Sequence, residues 1–204
     1  MTNRQLSRIR LYGEIVTPAV IAGVCLLSAV LGDAGRQALR YERTALAAGQ
    51  WWRIITAHFV HLNIVHTVMN VAALGLLVLL FRRELGSRDW TGAGLASACG
   101  IAAGLYLLST DTQWYVGLSG LLHGWFAFAA ARVCRRETRF GLVLLGALLA
   151  KLAYEQLAGP IPSTAALDVG PVVSAAHLYG AAAAGVYFVA GLGLRLVGGS
   201  RRQL

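Results

Sequence analysis

The chain has 204 residues, of which 57% are hydrophobic and only 13% are charged, and its mean hydropathy is +0.61. An ordinary soluble domain carries roughly 25% charged residues, so this composition excludes a typical water-soluble enzyme or binding domain. The formal net charge of +9 would by itself suit nucleic-acid binding, but the positions of the basic residues give it another explanation. The composition therefore indicates a polytopic membrane protein.

Six apolar segments are long enough to cross a bilayer. A spanning helix needs about 20 mostly apolar residues, because the hydrocarbon core is about 30 Å thick and an α-helix rises about 1.5 Å per residue. The segments are residues 15–31, 62–81, 90–108, 116–132, 140–157 and 171–194. We therefore expect an all-α fold with a six-helix membrane domain at residues 15–194, an N-terminal segment at residues 1–14 and a basic tail at residues 195–204.

Most of the 18 basic residues lie beside alternate ends of these segments, which the positive-inside rule assigns to the cytoplasm. They are Arg4, Arg8, Arg10, Arg82, Arg83, Arg88, Arg132, Arg135, Arg136, Arg139, Arg195, Arg201 and Arg202. This placement accounts for the net charge without a nucleic-acid partner. It predicts that both termini are cytoplasmic and that the long first loop lies on the external side, with the loops near Asp111 and Gly159.

Polar side chains inside the apolar segments are the candidates for function, because a strongly polar group in hydrocarbon is costly and marks a functional site by default. The second segment carries His66 and Asn70, which are four residues apart and lie on one helix face. The fourth segment begins near Ser119, and the sixth carries His177. At about 1.5 Å per residue, these groups lie within roughly 10 Å of the external boundary, so we expect them to share one pocket.

Such a pocket supports acyl transfer. A serine hydroxyl becomes a nucleophile when a base removes its proton, and histidine is the side chain whose pKa lies near neutral pH. We expect His177, which comes from a different helix, to act as the base for Ser119. The tetrahedral intermediate needs hydrogen-bond donors for its oxyanion, and His66, Asn70 and the backbone N–H of Ser119 would supply them.

Each of these residues also has a purely structural interpretation. Serine is ordinary at contacts between membrane helices, so Ser119 taken alone is more often a packing residue. His66 and Asn70 would then form a structural hydrogen-bonded pair. Gly117 and Gly120 fit both interpretations, since they free the backbone and allow a neighbouring helix or a substrate to approach closely.

Other polar positions are ambiguous. His123 lies four residues after Ser119, where it is either a local base or, as we favour, a structural hydrogen-bonding group. Lys151 and Glu155 lie on one face of the fifth segment, where they either neutralise each other or recognise a polar part of a substrate. We expect His61 to orient the first loop and the second helix.

Three motifs stand out along the chain. They are GQWWRIITAHFVH with the His and Asn that follow it (residues 49–70), GLSG (residues 117–120) and AHLYG (residues 176–180). In order and spacing across nearly the whole chain they resemble the rhomboid family of intramembrane serine proteases. The resemblance implies a bundle of six transmembrane helices.

The resemblance also assigns roles to residues. It implies a catalytic dyad of Ser119 and His177 without a third acid, and membrane-anchored proteins as substrates. The oxyanion site would contain His66 and Asn70. The first loop, with Trp52 and Arg53, would pack partly into the membrane interface.

The extended motif GLSGLLHG (residues 117–124), which includes His123, and the small size of the chain resemble the rhombosortase branch of that family. This resemblance implies bacterial substrates whose C-terminal sorting tails contain Gly-Gly, an apolar helix and basic residues. It places the chain in the bacterial inner membrane, with the active site opening to the external side. Lipid is the other expected partner, and neither a cofactor nor a metal is expected.

Two positions depart from the family pattern. Arg82 occupies the place after the second segment where the family commonly has a glutamate that holds the loop arginine, which leaves the partner of Arg53 open. In the sixth segment the small-residue spacing runs from Gly180 to Gly185, and Ala184 takes the usual one-turn position.

Two alternatives from other functional classes stay open. One is a membrane metal transporter that uses the five histidines as ligands. Two observations argue against it: no carboxylate accompanies the histidines, and no HExxH motif is present. The other is a catalytically inactive rhomboid-like protein that only binds membrane clients. The five histidines are His58, which we expect to be exposed in the first loop, and His61, His66, His123 and His177.

Overall fold

The computed structural model describes residues 3–162 and 170–200, with side chains described for residues 14–162 and 170–193. This part of the chain is predominantly helical. The helices are α1 (Asn3–Ser28), α2 (Gly32–Leu39), α3 (Arg43–Ala47), α4 (Arg53–Thr56), α5 (Ile64–Phe81), α6 (Ser87–Leu107), α7 (Ser119–Cys134), α8 (Thr138–Ala158) and α9 (Ser174–Ser200). A 3₁₀ turn, Ala29–Leu31, joins α1 to α2, and two short strands, β1 (Tyr41–Glu42) and β2 (Trp114–Tyr115), pair antiparallel.

Five helical stretches in the described part of the chain are long and apolar enough to cross a membrane. They are Glu14–Leu39, Ile64–Phe81, Ser87–Leu107, Thr138–Ala158 and Ser174–Gly193. Large apolar side chains on these stretches are exposed, as surfaces that face lipid require; examples are Leu79, Leu149 and Val186. The predicted all-α polytopic membrane fold is confirmed.

The fourth predicted segment corresponds to α7, which is shorter than the other five, with 16 residues. None of its side chains is exposed, and it contacts α5, α6, α8 and α9. These four helices therefore surround α7 and separate it from lipid.

The first and last long helices extend beyond the predicted membrane domain. Helix α1 already begins at Asn3, so the N-terminal segment and the first span form one continuous helix. Helix α9 extends to Ser200. Residues 201–204 lie outside the described residues, as do the side chains from residue 194 onward.

Two ion pairs connect the C-terminal end of α7 and the residues that follow it to α6 and to the turn before α6. Asp89 of α6 pairs with Arg132 across 2.6 Å, and its carboxylate also accepts from the N–H of Gly86 at the start of the helix. Glu84 pairs with Arg136 across 2.6 Å. These contacts hold together the end of the bundle opposite to Ser119.

The first loop holds the segment that leads into α7. Strands β1 and β2 pair Tyr41 with Tyr115, and the N–H of Gly117 donates to the carbonyl of Ala57 at 2.9 Å. The turn into α7 is therefore fixed by residues that precede it by about 60 to 75 positions in the printed sequence.

Arg53 is buried within this loop and finds its partners there. Its guanidinium donates to the Gln50 side chain at 2.7 Å and to the carbonyls of Gln37 and Arg40 at 2.8 Å. The partner left open in the sequence is thus the loop's own backbone together with Gln50. The neighbouring Trp52 is half exposed, as a side chain at a membrane interface would be.

Candidate active site

Ser119 and His177 are hydrogen-bonded to each other. Ser119 is the first residue of α7 and His177 lies in the first turn of α9, and the His177 Nε2 to Ser119 Oγ distance is 2.9 Å. The structure thus brings together the two residues that the sequence analysis placed in one pocket. A serine hydroxyl that donates to an imidazole nitrogen is the ground-state arrangement for general-base activation.

Glycines allow α7 and α9 to approach closely enough for this contact. A side-chain carbon at Gly180 would collide with the carbonyl oxygen of Gly120, and one at Gly124 would lie 2.9 Å from the carbonyl oxygen of Gly180. The Ser97 hydroxyl donates to the carbonyl of Gly180 at 3.1 Å. Because the crossing lies within one turn of Ser119 and His177, it sets the separation of the pair.

The turn before Ser119 depends on glycine for a different reason. Gly117 has φ +117°, which side-chain-bearing residues rarely adopt, and a Cβ there would lie 3.0 Å from the ring of His66. The next N–H, that of Leu118, donates to His61 Nε2 at 3.3 Å. His61 therefore contacts the turn before Ser119 through the backbone, which the role expected for it in the first loop and the second helix did not include.

Glu155 accepts from the other nitrogen of His177. Its Oε2 lies 2.8 Å from His177 Nδ1, and its Oε1 lies 2.7 Å from Lys151 Nζ. The Glu155 side chain is 3% exposed and the His177 side chain 5%. The resemblance implied a dyad without a third acid, whereas here a carboxylate from α8 lies in hydrogen-bond contact with His177.

The sequence contained one signal for this acid. Lys151 and Glu155 stand out as a charged pair in an otherwise apolar segment. They do form the ion pair expected from their spacing, but Glu155 also contacts His177, which the spacing does not predict. The contact of Glu155 with α9 depends on the rotation of α8 about its axis, which a helix that is apolar on most sides does not reveal.

His123 packs on the face of His177. The two rings are stacked with their centroids 4.1 Å apart, and His123 Nδ1 donates to the Ser119 carbonyl oxygen at 2.7 Å. The hydrogen bond within α7 is the structural role favoured from the sequence. The hydroxyl of Ser119 is engaged by His177.

His66 and Asn70 line the same cavity as Ser119 and His177. Asn63 caps α5 by accepting from the His66 N–H at 2.8 Å, and Asn70 Nδ2 donates to the His66 carbonyl at 2.9 Å. Among the described residues, His66 Nδ1 is buried without a hydrogen-bond partner. Both side chains therefore line the cavity beside Ser119, and the Asn70 side chain is held by the backbone of its own helix.

His58 and His61 lie in the first loop and are both buried. His58 is 2% exposed and its ring meets the edge of Tyr115, so the expectation that it is exposed is wrong. Burial lowers the pKa of His58 to about 4. Burial, with the neighbouring His66, lowers the pKa of His61 to about 3, so both rings are neutral at pH 7.

A cavity of about 500 Å³ lies beside the candidate site, and it is lined by Ser119, His177, Glu155, His66, Asn70 and His123. It lies between α5, α7 and α8 and extends from His177 to Leu80, near the C-terminal end of α5. Apart from the site residues and Lys151, its walls are apolar side chains such as Met69, Phe126 and Leu148. An apolar segment of another chain would fit the chemistry of these walls.

A metal-ligand arrangement occurs at one place in the described part of the chain. Potential ligand atoms of His123, Glu155 and His177 lie within 4.8 Å of one another. The argument that no carboxylate accompanies the histidines is therefore wrong. His58, His61 and His66 are not part of this group, so the five histidines do not form the common ligand set that a transporter would need.

Comparison with known proteins identifies the family. The family model for the Rhomboid domain matches residues 48–194, which is more than half of the chain and includes Ser119, His177 and Glu155. A search of curated proteins finds no match. Rhomboid proteins are generally intramembrane serine proteases, and they act on membrane proteins within the bilayer. The chain belongs to the rhomboid family.

Proposed function

We propose that the protein is an intramembrane serine endopeptidase in which Ser119 is the nucleophile and His177 the general base. The observation that carries the proposal is the 2.9 Å hydrogen bond between Ser119 Oγ and His177 Nε2 inside a bundle of membrane helices. Family membership supports the reaction class. The alternative of a metal transporter has no comparable support.

Acylation proceeds by attack of Ser119 Oγ on the scissile carbonyl carbon, while the hydroxyl proton moves to His177 Nε2. The resulting tetrahedral oxyanion is stabilised by His66, Asn70 and the backbone N–H of Ser119, which lies in the first turn of α7 and has no carbonyl within the helix to donate to. Collapse of the intermediate breaks the C–N bond. His177 gives its proton to the leaving amine, and the new N-terminus departs.

Deacylation reverses the roles with water. His177 Nε2 accepts a proton from a water molecule as the water oxygen attacks the acyl-enzyme ester. The C–O bond to Ser119 then breaks, His177 returns the proton to Ser119 Oγ, and the carboxylic acid departs. Water must reach this point from outside the bilayer. We therefore propose that the site opens to the external side, with the loop that contains Gly159 as part of its cover.

The proposed substrates are membrane-anchored proteins. The apolar cavity between α5 and α8 supports this, because a substrate helix that unwinds near Ser119 would place its apolar side chains there. The arginines at alternate span ends support a cytoplasmic location of both termini in a bacterial inner membrane.

The test uses the purified protein in liposomes with a single-span substrate and, separately, a fluorophosphonate probe. Wild type should cleave the substrate and take up the probe, and Ser119→Ala should do neither. His177→Ala should lower both rates by about 10³-fold or more, since base and nucleophile act as a unit. Probe uptake or cleavage that survives Ser119→Ala contradicts the proposal. Substrate binding by a wild-type protein that neither cleaves nor labels would show the inactive client-binding protein instead.

The finer proposal is a rhombosortase, which the GLSGLLHG motif with His123 supports. A substrate with a C-terminal Gly-Gly, apolar helix and basic tail should then be cut near the Gly-Gly, and mass spectrometry of the new terminus locates the cut. Equal cleavage of a matched substrate in which the Gly-Gly pair is replaced by Leu-Leu would rule out this branch and leave the broader protease proposal intact.

A further inference from the structure

We infer that Glu155 is a positioning residue of the active site, which holds His177 in the tautomer and orientation that Ser119 requires. The inference rests on the proposed function and goes beyond the Ser119 and His177 pair. Glu155 comes from α8, whereas the other two residues come from α7 and α9. The hydrogen-bonded series of Glu155, His177 and Ser119 would therefore combine residues from three different helices.

The hydrogen bonds determine the tautomer. A carboxylate is only an acceptor, so the 2.8 Å contact between Glu155 Oε2 and His177 Nδ1 requires the proton on Nδ1. The Nε2 lone pair is then free to accept from the Ser119 hydroxyl 2.9 Å away. Without the carboxylate, a neutral imidazole can carry its proton on Nε2 instead, and in that form it cannot act as the base.

The same contact supports the charge that develops during the reaction. When His177 takes the proton of Ser119, it becomes an imidazolium in a site where its side chain is 5% exposed. A carboxylate in hydrogen-bond contact compensates that charge, as the buried acid does in serine hydrolases with a triad. The proton on Nδ1 stays on His177, and Glu155 stays ionised throughout.

Lys151 explains how this carboxylate tolerates burial. Its Nζ lies 2.7 Å from Glu155 Oε1, so each carboxylate oxygen has its own partner. Before the reaction the positive charge of Lys151 balances the negative charge of Glu155, and His177 is neutral. The three side chains then carry no net charge. A buried carboxylate with a single neutral partner would be far more costly.

Among the side chains that the structure describes, the other neighbours of His177 do not perform this function. His123 stacks on the ring face and directs its Nδ1 to the Ser119 carbonyl, so it does not compete for His177 Nδ1. His66 lies on the other side of the site, on α5. In the described part of the chain, Glu155 is the carboxylate hydrogen-bonded to His177.

The experiment compares Glu155→Gln with wild type in three measurements: kcat and KM for a membrane substrate, the rate of fluorophosphonate labelling, and the thermal unfolding midpoint. Loss of the carboxylate should lower kcat and the labelling rate by about 10²-fold or more, with KM within about twofold. Glu155→Asp keeps the carboxylate on a shorter side chain and should recover part of the rate. The labelling rate is decisive, because the small probe needs an activated Ser119 but no substrate contact with α8.

Two further variants separate positioning from folding. Glu84→Gln removes a carboxylate from an ion pair at the opposite end of the bundle and should label like wild type. The double variant Lys151→Met with Glu155→Gln leaves no unpaired buried charge, so it should fold and still label slowly. A labelling rate of the folded Glu155→Gln protein within threefold of wild type overturns the inference. If Ser119→Ala is inactive in the same assay, the proposed function stands regardless; if Ser119→Ala is active, the proposed function itself falls.

Discussion

The imidazole ring of His123 lies nearly parallel to that of His177, with an interplanar angle of 15° and ring centroids 4.1 Å apart. His177 is therefore held on three sides: by Ser119 at one nitrogen, by Glu155 at the other and by the His123 ring on its face. Its freedom to rotate out of line is small in the resting protein.

The first prediction concerns this stacked ring. His123→Ala removes the contact and should lower the fluorophosphonate labelling rate about two- to tenfold, since a ring pair contributes about 0.5–1.5 kcal/mol beyond its buried area. His123→Phe keeps a ring at the position and should label faster than the alanine variant. If His123→Ala stops labelling as fully as Ser119→Ala, His123 would be the base and the role proposed for His177 would be wrong.

The second prediction concerns the oxyanion donors. Asn70→Ala should lower kcat about 10²- to 10³-fold with little change in KM, because the lost hydrogen bond forms in the transition state. Thr67→Val is the matched control: Thr67 is buried on the same helix and donates to the Asn63 carbonyl, but it is not among the residues that line the cavity. Equal losses in the two variants would show a general weakening of α5 rather than an oxyanion role.

The third prediction concerns the crossing of α7 and α9. Gly180→Ala places a methyl group against the Gly120 carbonyl, so the helices must separate and the contact of Ser119 with His177 must lengthen. A misplacement of about 1 Å costs about 10²-fold in rate, and the labelling assay should show a loss of that order. Gly185→Ala is the control on the same helix, since nothing lies within 4 Å of its added carbon. Full labelling of Gly180→Ala would show that the crossing does not position the pair.

The fourth prediction concerns substrate entry between α5 and α8. Ala73 and Ala147 both line the cavity, one on each helix. Cysteines at these two positions, in a chain whose native cysteines are replaced, allow the helices to be joined by a reducible bifunctional reagent. The joined protein should lose cleavage of a membrane substrate and regain it on reduction, while fluorophosphonate labelling continues throughout. Undiminished cleavage by the joined protein would exclude entry by this route.

The sequence could predict the parts of this site that depend on local spacing. His66 and Asn70 had to share a face of one helix, and Ser119 had to lie near a helix start after a glycine, whatever the tertiary structure. The apolar lengths likewise predicted the spans, although not that the helix of Ser119 would be the short central one.

The remaining features depend on contacts between distant segments. Whether Glu155 faces His177 is decided by how α8 is rotated against its neighbours, and the face that carries Lys151 and Glu155 does not by itself show which helix it meets. The burial of His58 follows from the packing of the first loop against Tyr115, 57 positions later in the chain. The spacing of residues within the first loop, or within the segment around Tyr115, does not predict that contact.

The shortness of α7 has a consequence for hydrophobic matching. Its 16 residues give a length of about 24 Å, which is about 6 Å less than the hydrocarbon core of a typical bilayer. Helices that touch lipid must match the bilayer thickness, but α7 has no exposed side chain and is released from that requirement. The outer helices therefore set how the protein sits in its membrane, while the inner one independently sets how far below the surface Ser119 lies.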